Sequence, residues 1–421
     1  MSKRKFTLMR RRDEFLTHFT VLDIGTEFVK ALVVKREGDN GIVLGVGKVR
    51  QATSHMQAGA VADIQSVIDN CDRALTEAED MCETIPGQAV IGIAGEQVRG
   101  FSTSMTMPRP QPQTRISQAD LATALQAVQR RALREAVRQM SQDLGVAEVN
   151  VKLVHSAITS VRIDGYSVTN PIDFQGHVVE IMVFNTFAPL THIGALQTIA
   201  RELDLELVAT VAEPYALARG CSSDEVYEIG GIFVDVGGGT TDVAVVRHGG
   251  IEATRMFALG GRSFTKRLST DLAMSLEEAE RFKVAHADGR LASEQNAVAR
   301  RSLEPTAEVL AQGVALTLEE LAGDEPLPPA IYLGGGGAEL PEVTEQLRAV
   351  DWADSVPFPS VPVIKVLRPE DVRGIYDTTG LLVGSQDVTP MGLARHAVAL
   401  EDEADEPLGG LMRRVLKTMK V

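Results

Sequence analysis

A chain of 421 residues with 44% hydrophobic and 24% charged content is long enough for two large lobes, each with its own core, and ordinary in composition for a soluble globular protein. The formal net charge of −15 argues against nucleic-acid binding, which needs a basic face to neutralise phosphates. Three unpatterned cysteines, Cys71, Cys82 and Cys221, give neither a disulfide framework nor a zinc site and suit a reducing cytosol.

The first elements are predicted from the amino terminus onward. Residues 1–18 form a basic arm carrying Lys3, Arg4, Lys5, Arg10, Arg11 and Arg12. No continuous apolar stretch follows it, so it reads as a solubilising tail or a membrane-surface contact rather than a signal peptide. No apolar run anywhere in the chain reaches the length of a membrane span. Residues 19–87 read as the first part of a first lobe. Within them Val21-Leu22-Asp23-Ile24-Gly25-Thr26 leads into an apolar run at 29–34, which predicts a strand, a glycine-containing tight turn and a second strand. Residues 88–187 read as a small α/β insert that opens on a strand at 88–93. Ser117 with Asp120 three residues on predicts an N-cap for a helix to about residue 140. Leu121, Leu125, Val128, Ala132 and Val137 form its apolar stripe. Strands are predicted at 149–155, 159–163 and 178–184. A helix over 189–203 and a strand over 206–211 return the chain to the first lobe, 188–225.

The second half repeats the opening pattern. Within residues 226–262, Val234-Asp235-Val236-Gly237-Gly238-Gly239-Thr240-Thr241-Asp242 leads into Val243-Ala244-Val245-Val246, again a strand, a tight turn and a strand. The two hairpins stand about half a chain length apart, which suggests two related lobes facing a shared cleft. Helices follow around 263–285 and 304–321, in a helical subdomain covering 263–328. A short strand at 330–333 opens the segment 329–385 and ends in four consecutive glycines. Residues 386–400 read as a connecting helix that returns to the first lobe. Residues 401–407 carry five acids and no base, which reads as a solvated linker. Residues 408–421 form a distinct final segment.

A polyphosphate needs closely approaching backbone N–H donors and a cation to offset its charge. Glycine serves the first need because it takes positive φ and has no Cβ to block approach. Gly237, Gly238 and Gly239 with Thr240 and Thr241 therefore form a predicted cradle for β- and γ-phosphates, opposed by Gly25 and Thr26. Asp23 and Asp235 each end an apolar strand just before a turn, where a hard carboxylate can hold a hydrated Mg²⁺ on the phosphates. Gly334, Gly335, Gly336 and Gly337 follow a buried-looking strand and suit a turn on which an adenosine lies. No P-loop sequence is present, so that device is not the one in use.

This ordered set resembles the ATPase superfamily of actin, sugar kinases and heat-shock chaperones. The resemblance implies a two-lobed actin-like ATPase fold with ribonuclease-H-like lobes and ATP with Mg²⁺ in the cleft. It also implies a first connecting element at Ala212-Glu213-Pro214-Tyr215-Ala216 and a second near Thr389-Pro390-Met391-Gly392-Leu393-Ala394. In such proteins the first connecting element supplies an acid or amide that orients the attacking water, which falls here on Glu213, with Asp235 as the second catalytic carboxylate. Help of that kind is worth ~10²–10⁴ in rate. Gly260 and Gly261, and the pair Glu280 and Lys283 on one helix face, fall where related ATPases hold the nucleotide, the pair beside adenine and ribose.

Within the superfamily the stretch from about residue 21 to 400 resembles FtsA and PilM, bacterial actin-like proteins with a subdomain inserted in the first lobe. Ile158 to Ile181, with Asp164-Gly165 and Asn170-Pro171-Ile172, looks like the FtsA form of that insert. Between Lys283 and Ala330 the chain is shorter than a typical FtsA, and PilM is compact there too. The final segment favours FtsA. Leu408, Leu411, Met412, Val415, Leu416 and Met419 make a continuous apolar helical stripe, with Arg413, Arg414, Lys417 and Lys420 on the other faces. A helix this short is marginal alone in water, whereas a bilayer interface satisfies both faces. The alternative is a helix docked on the protein's own body, which a flexible acidic linker disfavours.

With ~1 kcal/mol per basic residue near anionic lipid, one tail holds a membrane weakly. A polymer presenting several gains avidity of order 10²–10⁴. The resemblance thus implies an ATP-binding, actin-like cell-division protein with slow or absent hydrolysis. It would self-associate into protofilaments, bind inner-membrane lipids at the cytoplasmic face of the septum, and anchor an FtsZ-like division protein. The alternatives are a PilM-like component of type IV pilus assembly and an actin-fold kinase or chaperone ATPase. No candidate for a kinase's sugar-pocket aspartate is evident, and roughly twenty residues beyond Leu400 leave no room for a chaperone's peptide-binding domain.

Overall fold

In this computed structural model residues 17–147, 149–247, 249–323, 325–349, 353–405 and 407–419 are described; the basic residues of the N-terminal arm, Lys3 to Arg12, lie outside them. The alternation of apolar residues after the arm folds as a meander: β1 (His18–Ile24), β2 (Phe28–Glu37) and β3 (Asn40–Arg50) pair antiparallel. A small ribbon of β4 (Met56–Gln57) and β5 (Ala60–Val61) leads to α1 (Ile64–Cys82), whose first turn is capped by the Asp63 carboxylate accepting from the Ser66 N–H. α1 buries Val67, Cys71, Ala74 and Ala78. The helix and sheet backbones nearly touch. A Cβ on Gly45 or Gly47 would stand 2.0 Å or 1.8 Å from the carbonyl oxygens of Ala78 and Ala74, a distance only glycine permits. β6 (Gln88–Ile93) then lies parallel to β1.

β6 therefore belongs to the first lobe, and the insert begins after it rather than at residue 88. The insert comprises β7 (Arg99–Pro108), α2 (Gln118–Leu144), β8 (Val151–Ile163), β9 (Tyr166–Ser167) and β10 (Val178–Pro189). Ser117 and Asp120 close a reciprocal capping box at the start of α2, which satisfies two otherwise orphaned N–H groups. Leu121, Leu125, Val128 and Ala132 of the predicted stripe are buried; Ala136 and Met140 continue it in place of the half-buried Val137. Where the sequence suggests two strands, β8 is one strand of 13 residues. Its polar interruption, Ser156, is satisfied inside the sheet by a hydrogen bond to Asn185 Oδ1 (2.9 Å).

The chain returns through α3 (Leu190–Glu202), β11 (Glu206–Ala212), α4 (Glu213–Cys221) and α5 (Asp224–Ile229). A second meander follows in β12 (Gly231–Val236), β13 (Thr241–Arg247) and β14 (Gly250–Phe257). Next come α6 (Gly261–Asp271), α7 (Leu276–Ala287) and α8 (Ser293–Leu321). α8 runs through Pro305, where the sequence suggests a start near 304. The turns before the proline bury Ala299, Ser302 and Leu303, and that packing outweighs the missing backbone hydrogen bond. Among the described residues no strand lies between Lys283 and Ala330. β15 (Ala330–Gly334), α9 (Pro341–Arg348) and β16 (Val363–Val366) complete the second lobe. β17 (Ile375–Asp377) pairs parallel with β3, so this part of the 329–385 segment joins the first lobe. α10 (Val388–Asp405) and α11 (Pro407–Met419) end the described chain.

Two sheets result, one in the order β11-β6-β1-β2-β3-β17 and one in the order β16-β15-β12-β13-β14-β7-β10-β8-β9. The run β3-β2-β1-β6-β11 has the order of β14-β13-β12-β15-β16, antiparallel meander first and parallel strands after. The insert has no separate sheet: it extends the second one through the pairing of Ala253 with Phe101 and Thr254 with Gly100.

The end of the chain departs from expectation. Residues 401–405 are the last turn of α10 rather than an open linker, because a helix already propagating adds residues without a new nucleus. α11 lies on the insert, with Leu411, Met412 and Val415 only 3–4% exposed and Leu408, Leu416 and Met419 packed beside them. The apolar face left by α2 and the adjoining strands accepts the stripe directly. Arg413 and Arg414 point outward; Lys420 and the side chain of Lys417 lie outside the described residues.

The close approach of β3 to α1 at glycine sets an expected outcome. Gly47→Val forces the Ala74 carbonyl away and should lower stability by about 1–3 kcal/mol, the usual cost of overpacking, in urea denaturation; an unchanged midpoint contradicts the packing described.

Candidate functional site

The turns of the two hairpins meet across the gap between the lobes. A Cβ on Gly238 would lie 2.9 Å from Glu27 Cβ, and one on Gly239 would lie 2.8 Å from Thr26, so bare backbone is what lets the turns approach. The Gly237 N–H donates to Thr240 O (2.9 Å), and the N–H groups of Gly261 and Arg262 donate to Gly237 O and Gly238 O (both 2.8 Å). The start of α6 thereby braces the second turn. Gly335 takes φ +79°, and its Cβ would fall 2.1 Å from Asp235 Oδ1; this glycine turn therefore rests on the end of β12.

A cavity of about 340 Å³ opens between these elements. Of the sequence-predicted residues, Asp23, Gly25, Thr26, Glu213, Asp235, Gly237, Gly238, Thr240, Gly261, Glu280, Lys283, Gly335, Gly336 and Gly337 line it. Gly239, Thr241, Gly260 and Gly334 do not. Gly239 faces Thr26, Gly260 backs onto Gly237 O and Gly334 packs on Leu217. The Thr241 hydroxyl donates to Leu259 O (2.7 Å), which commits it to holding the turn.

The lining residues Lys30 and Gln386 lie outside every site motif read from the sequence, and Asp242 and Thr389 fall in the second glycine hairpin and the second connecting element without an assigned role; all four face the cavity. Lys30 stands directly opposite Asp23 in the β1–β2 register, and its Nζ donates to Asp23 Oδ2 (3.1 Å) and to Gln386 O. A lone lysine in an apolar strand, seven residues after an aspartate across a tight turn, is the sequence signal available for it. Thr389 Oγ1 donates to Asp235. Arg262 crosses between the lobes, with Nε 2.9 Å from Glu27 Oε2 and a second nitrogen on Thr26 O.

The electrostatics are lopsided. Asp23, Glu213, Asp235 and Asp242 are each less than 9% exposed. Burial pushes the Glu213 carboxyl well above the usual range, and Asp23, Asp242 and Asp235 add to the shift. Burial, then the Asp235 charge, does the same to Asp242, whose Oδ1 has no hydrogen-bond partner. Burial also raises Asp235, against the opposing bond from Thr389. Lys30 suffers the same burial, but Asp23 and Asp387 outweigh it and hold the ammonium above its ordinary value. On the far wall Lys283 is already committed, to Glu280 (2.8 Å), Thr265 Oγ1 (2.9 Å) and Gly261 O (3.0 Å). Glu280 is pushed up by burial but left lower than usual, because Lys283 and Thr265 outweigh it. Among the described residues no three His, Cys, Asp or Glu side chains converge closely enough to ligate a metal directly. An orphaned carboxylate oxygen beside bare backbone donors suits a cation held through water and a polyphosphate.

Two lobes of one strand order, with facing glycine hairpins, define an actin-like ATPase fold. A solved structure described as the PilM-PilN type IV pilus biogenesis complex shares it, with a TM-score of 0.64 at 18% identity over 91% of this chain and 99% of that one. The family model for cell division protein FtsA matches residues 232–379, and that for MreB/Mbl protein matches residues 177–279. Cell division protein FtsA of Neisseria meningitidis is 26% identical over 94% of both chains. FtsA of Pseudomonas aeruginosa is 25% identical over 94% of this chain and 95% of its own, and that of Bacillus subtilis is 25% identical over 85% and 82%. The chain is an FtsA-like protein of the actin fold.

The raised carboxyls give a pH dependence with a definite sign. Each holds its proton more tightly folded than unfolded, so the ligand-free fold loses stability as pH rises from ~4, the unfolded carboxyl range, through the higher folded values. Asp242→Asn removes one such group. Its melting temperature at pH 7.5 should rise by at least ~2 °C and vary less between pH 5 and 8 by scanning calorimetry; a lower melting temperature contradicts the assignment.

Proposed function

We propose that the cleft binds ATP with Mg²⁺ and that the chain acts in cell division as an actin-like protein assembling at the membrane. The observation that carries the nucleotide reading is the pairing of two glycine turns with buried carboxylates and the Lys30 ammonium. Thr26, Gly238 and Thr240 offer backbone donors to the β- and γ-phosphates. Gly25 and Gly237, whose own N–H groups close the two turns on Phe28 O and Thr240 O, let the phosphates approach, with Gly239, Thr241 and Gly260 holding the turn behind them. Lys30 adds positive charge. Asp23, Asp235 and Asp242 hold the hydrated ion, which when bound neutralises phosphate charge. Glu280, Lys283, Gly261 and the turn of Gly335, Gly336 and Gly337 take the nucleoside.

Glu213 would orient the attacking water. Burial and the neighbouring carboxylates favour its protonated form in the ligand-free cleft, and hydrolysis is read as slow or absent, as the family resemblance implies. The nucleotide then serves mainly to hold the lobes in one conformation.

The division role draws on relatives of nearly full length whose name is cell division protein FtsA. On this reading the partners are an FtsZ-like protein, further copies of the chain in protofilaments, and lipids of the inner membrane at the cytoplasmic face of the division site. The tail stripe of Leu408, Leu411, Met412, Val415, Leu416 and Met419, with Arg413, Arg414, Lys417 and Lys420, is the membrane-binding element. Its docked position means that it must leave the insert to serve as one. The pilus-assembly reading draws on fold alone, which the two families share.

Two measurements test these readings. Asp235→Ala should weaken ATP binding at least ~100-fold in calorimetric titration, the scale expected when a buried charged group and its hydrogen bonds are removed; unchanged affinity removes the nucleotide reading. A fluorescently tagged copy should form midcell bands in dividing cells, whereas polar foci dependent on pilus genes would overturn the division role.

A further inference from the structure

The helix that would enter a bilayer is already engaged elsewhere. All six apolar residues of the α11 stripe pack on the cluster formed by α2 and the insert's strands. Arg413 and Arg414 remain exposed, with Arg414 donating to Gln118 Oε1 (3.3 Å). A side chain cannot be buried in protein and in lipid at once.

The surface beneath α11 has the character of one built to be uncovered. Gln129 Nε2 donates to Ser156 Oγ (2.7 Å) and Asn185 Oδ1 (2.8 Å), and Ser156 Oγ donates to Asn185 Oδ1 (2.9 Å). Met412 Sδ sits on this triad, 3.8 Å from both Gln129 Nε2 and Ser156 Oγ. These three groups satisfy one another without the tail and accept water when it leaves. A polar triad satisfied without the tail costs little to expose to water, whereas an aliphatic surface in its place would be costly to uncover. Packing is also incomplete on one flank. Leu408, Met412 and Leu416 border an open, water-accessible cavity of about 690 Å³ that Ile158, Tyr215 and Arg219 also line, so part of the stripe faces solvent rather than protein.

We propose that α11 is a latch: the insert and an anionic membrane compete for the same apolar face, so membrane attachment requires undocking and uncovers the α2 surface. The proposal rests on the reading of the tail as a membrane anchor. Docking reduces membrane affinity in proportion to the fraction of molecules latched. The outward arginines meet anionic headgroups first and bring the helix to the surface before its apolar face changes partner.

The test uses the full chain and Ile158→Asp. Ile158 is half-buried at the cavity beside the tail, so the new carboxylate opposes docking yet stays solvated once α11 leaves. In sedimentation with phosphatidylglycerol–phosphatidylcholine vesicles, Ile158→Asp should bind about fivefold more tightly or better. Without vesicles, hydrogen exchange should accelerate over residues 407–419 and over the α2 face they cover, and remain slow over the β1–β2 core. Equal vesicle binding despite an accelerated tail overturns the competition, and a wild-type tail that exchanges like free peptide overturns the latch. The wild type provides a readout independent of any substitution: vesicle addition should accelerate exchange in α2, and bound protein with unchanged α2 protection contradicts uncovering. A synthetic peptide of residues 407–421 separates the two claims. If it fails to bind these vesicles, the anchor reading fails and the competition with it. If it binds while the wild-type tail is unprotected, the latch alone fails.

Discussion

Four buried carboxylates, Asp23, Glu213, Asp235 and Asp242, share one cleft with two lysines of the near wall, Lys30 on Asp23 and Lys48 beside it. The rest of the molecule is arranged around that imbalance. Desolvated carboxylates at close quarters cannot all ionise without a counter-charge. Burial therefore pushes Glu213, Asp235 and Asp242 towards their protonated forms in the ligand-free cleft, an environment that a divalent ion would relieve. The glycine turns complete the arrangement, since they leave the backbone N–H groups as the nearest donors for the anionic partner of that ion.

The duplicated strand order explains why the carboxylates converge. In each lobe the first strand of the meander carries an aspartate as its penultimate residue, Asp23 in β1 and Asp235 in β12, and the tight turn follows one residue later. Packing the lobes face to face brings the two strand ends together, and Arg262 with Glu27 spans the join. The two helices that cross between the lobes begin at the cleft, with Glu213 at the start of α4 and Thr389 in the first turn of α10. Their other ends reach the cavity beside the tail, through Arg219 and Leu400. The cleft and the tail are thus opposite ends of the same two rigid rods.

Legibility in the sequence follows the range of the interactions. The second hairpin can be read because everything it needs lies within Phe233 to Val246, and α2 can be read because its capping box and stripe are local. Lys30 is hidden because its meaning lies in cross-strand register with Asp23. Gln386, and the bond from Thr389 of the second connecting element to Asp235, are hidden because the fold brings them to the cleft from more than 140 residues beyond Asp235. β7 and β14 escape notice because threonine, serine and charged residues alternate weakly with their apolar ones. The tail shows a different kind of limit. Its amphipathic pattern is correct for a bilayer and equally correct for the groove of the insert, and only the three-dimensional neighbour decides which one it meets.

The central claim is that the cleft trades protons for a nucleotide-bound cation. It is tested most directly by titrating the wild-type chain with ATP and Mg²⁺ near pH 6 in buffers of different ionisation enthalpy. The account predicts net proton release on binding in excess of that from Mg²⁺ and ATP in buffer alone, and smaller in Asp242→Asn, as the raised carboxyls give up their protons to the incoming charge. Tight Mg²⁺–ATP binding with no buffer dependence of the heat would contradict it.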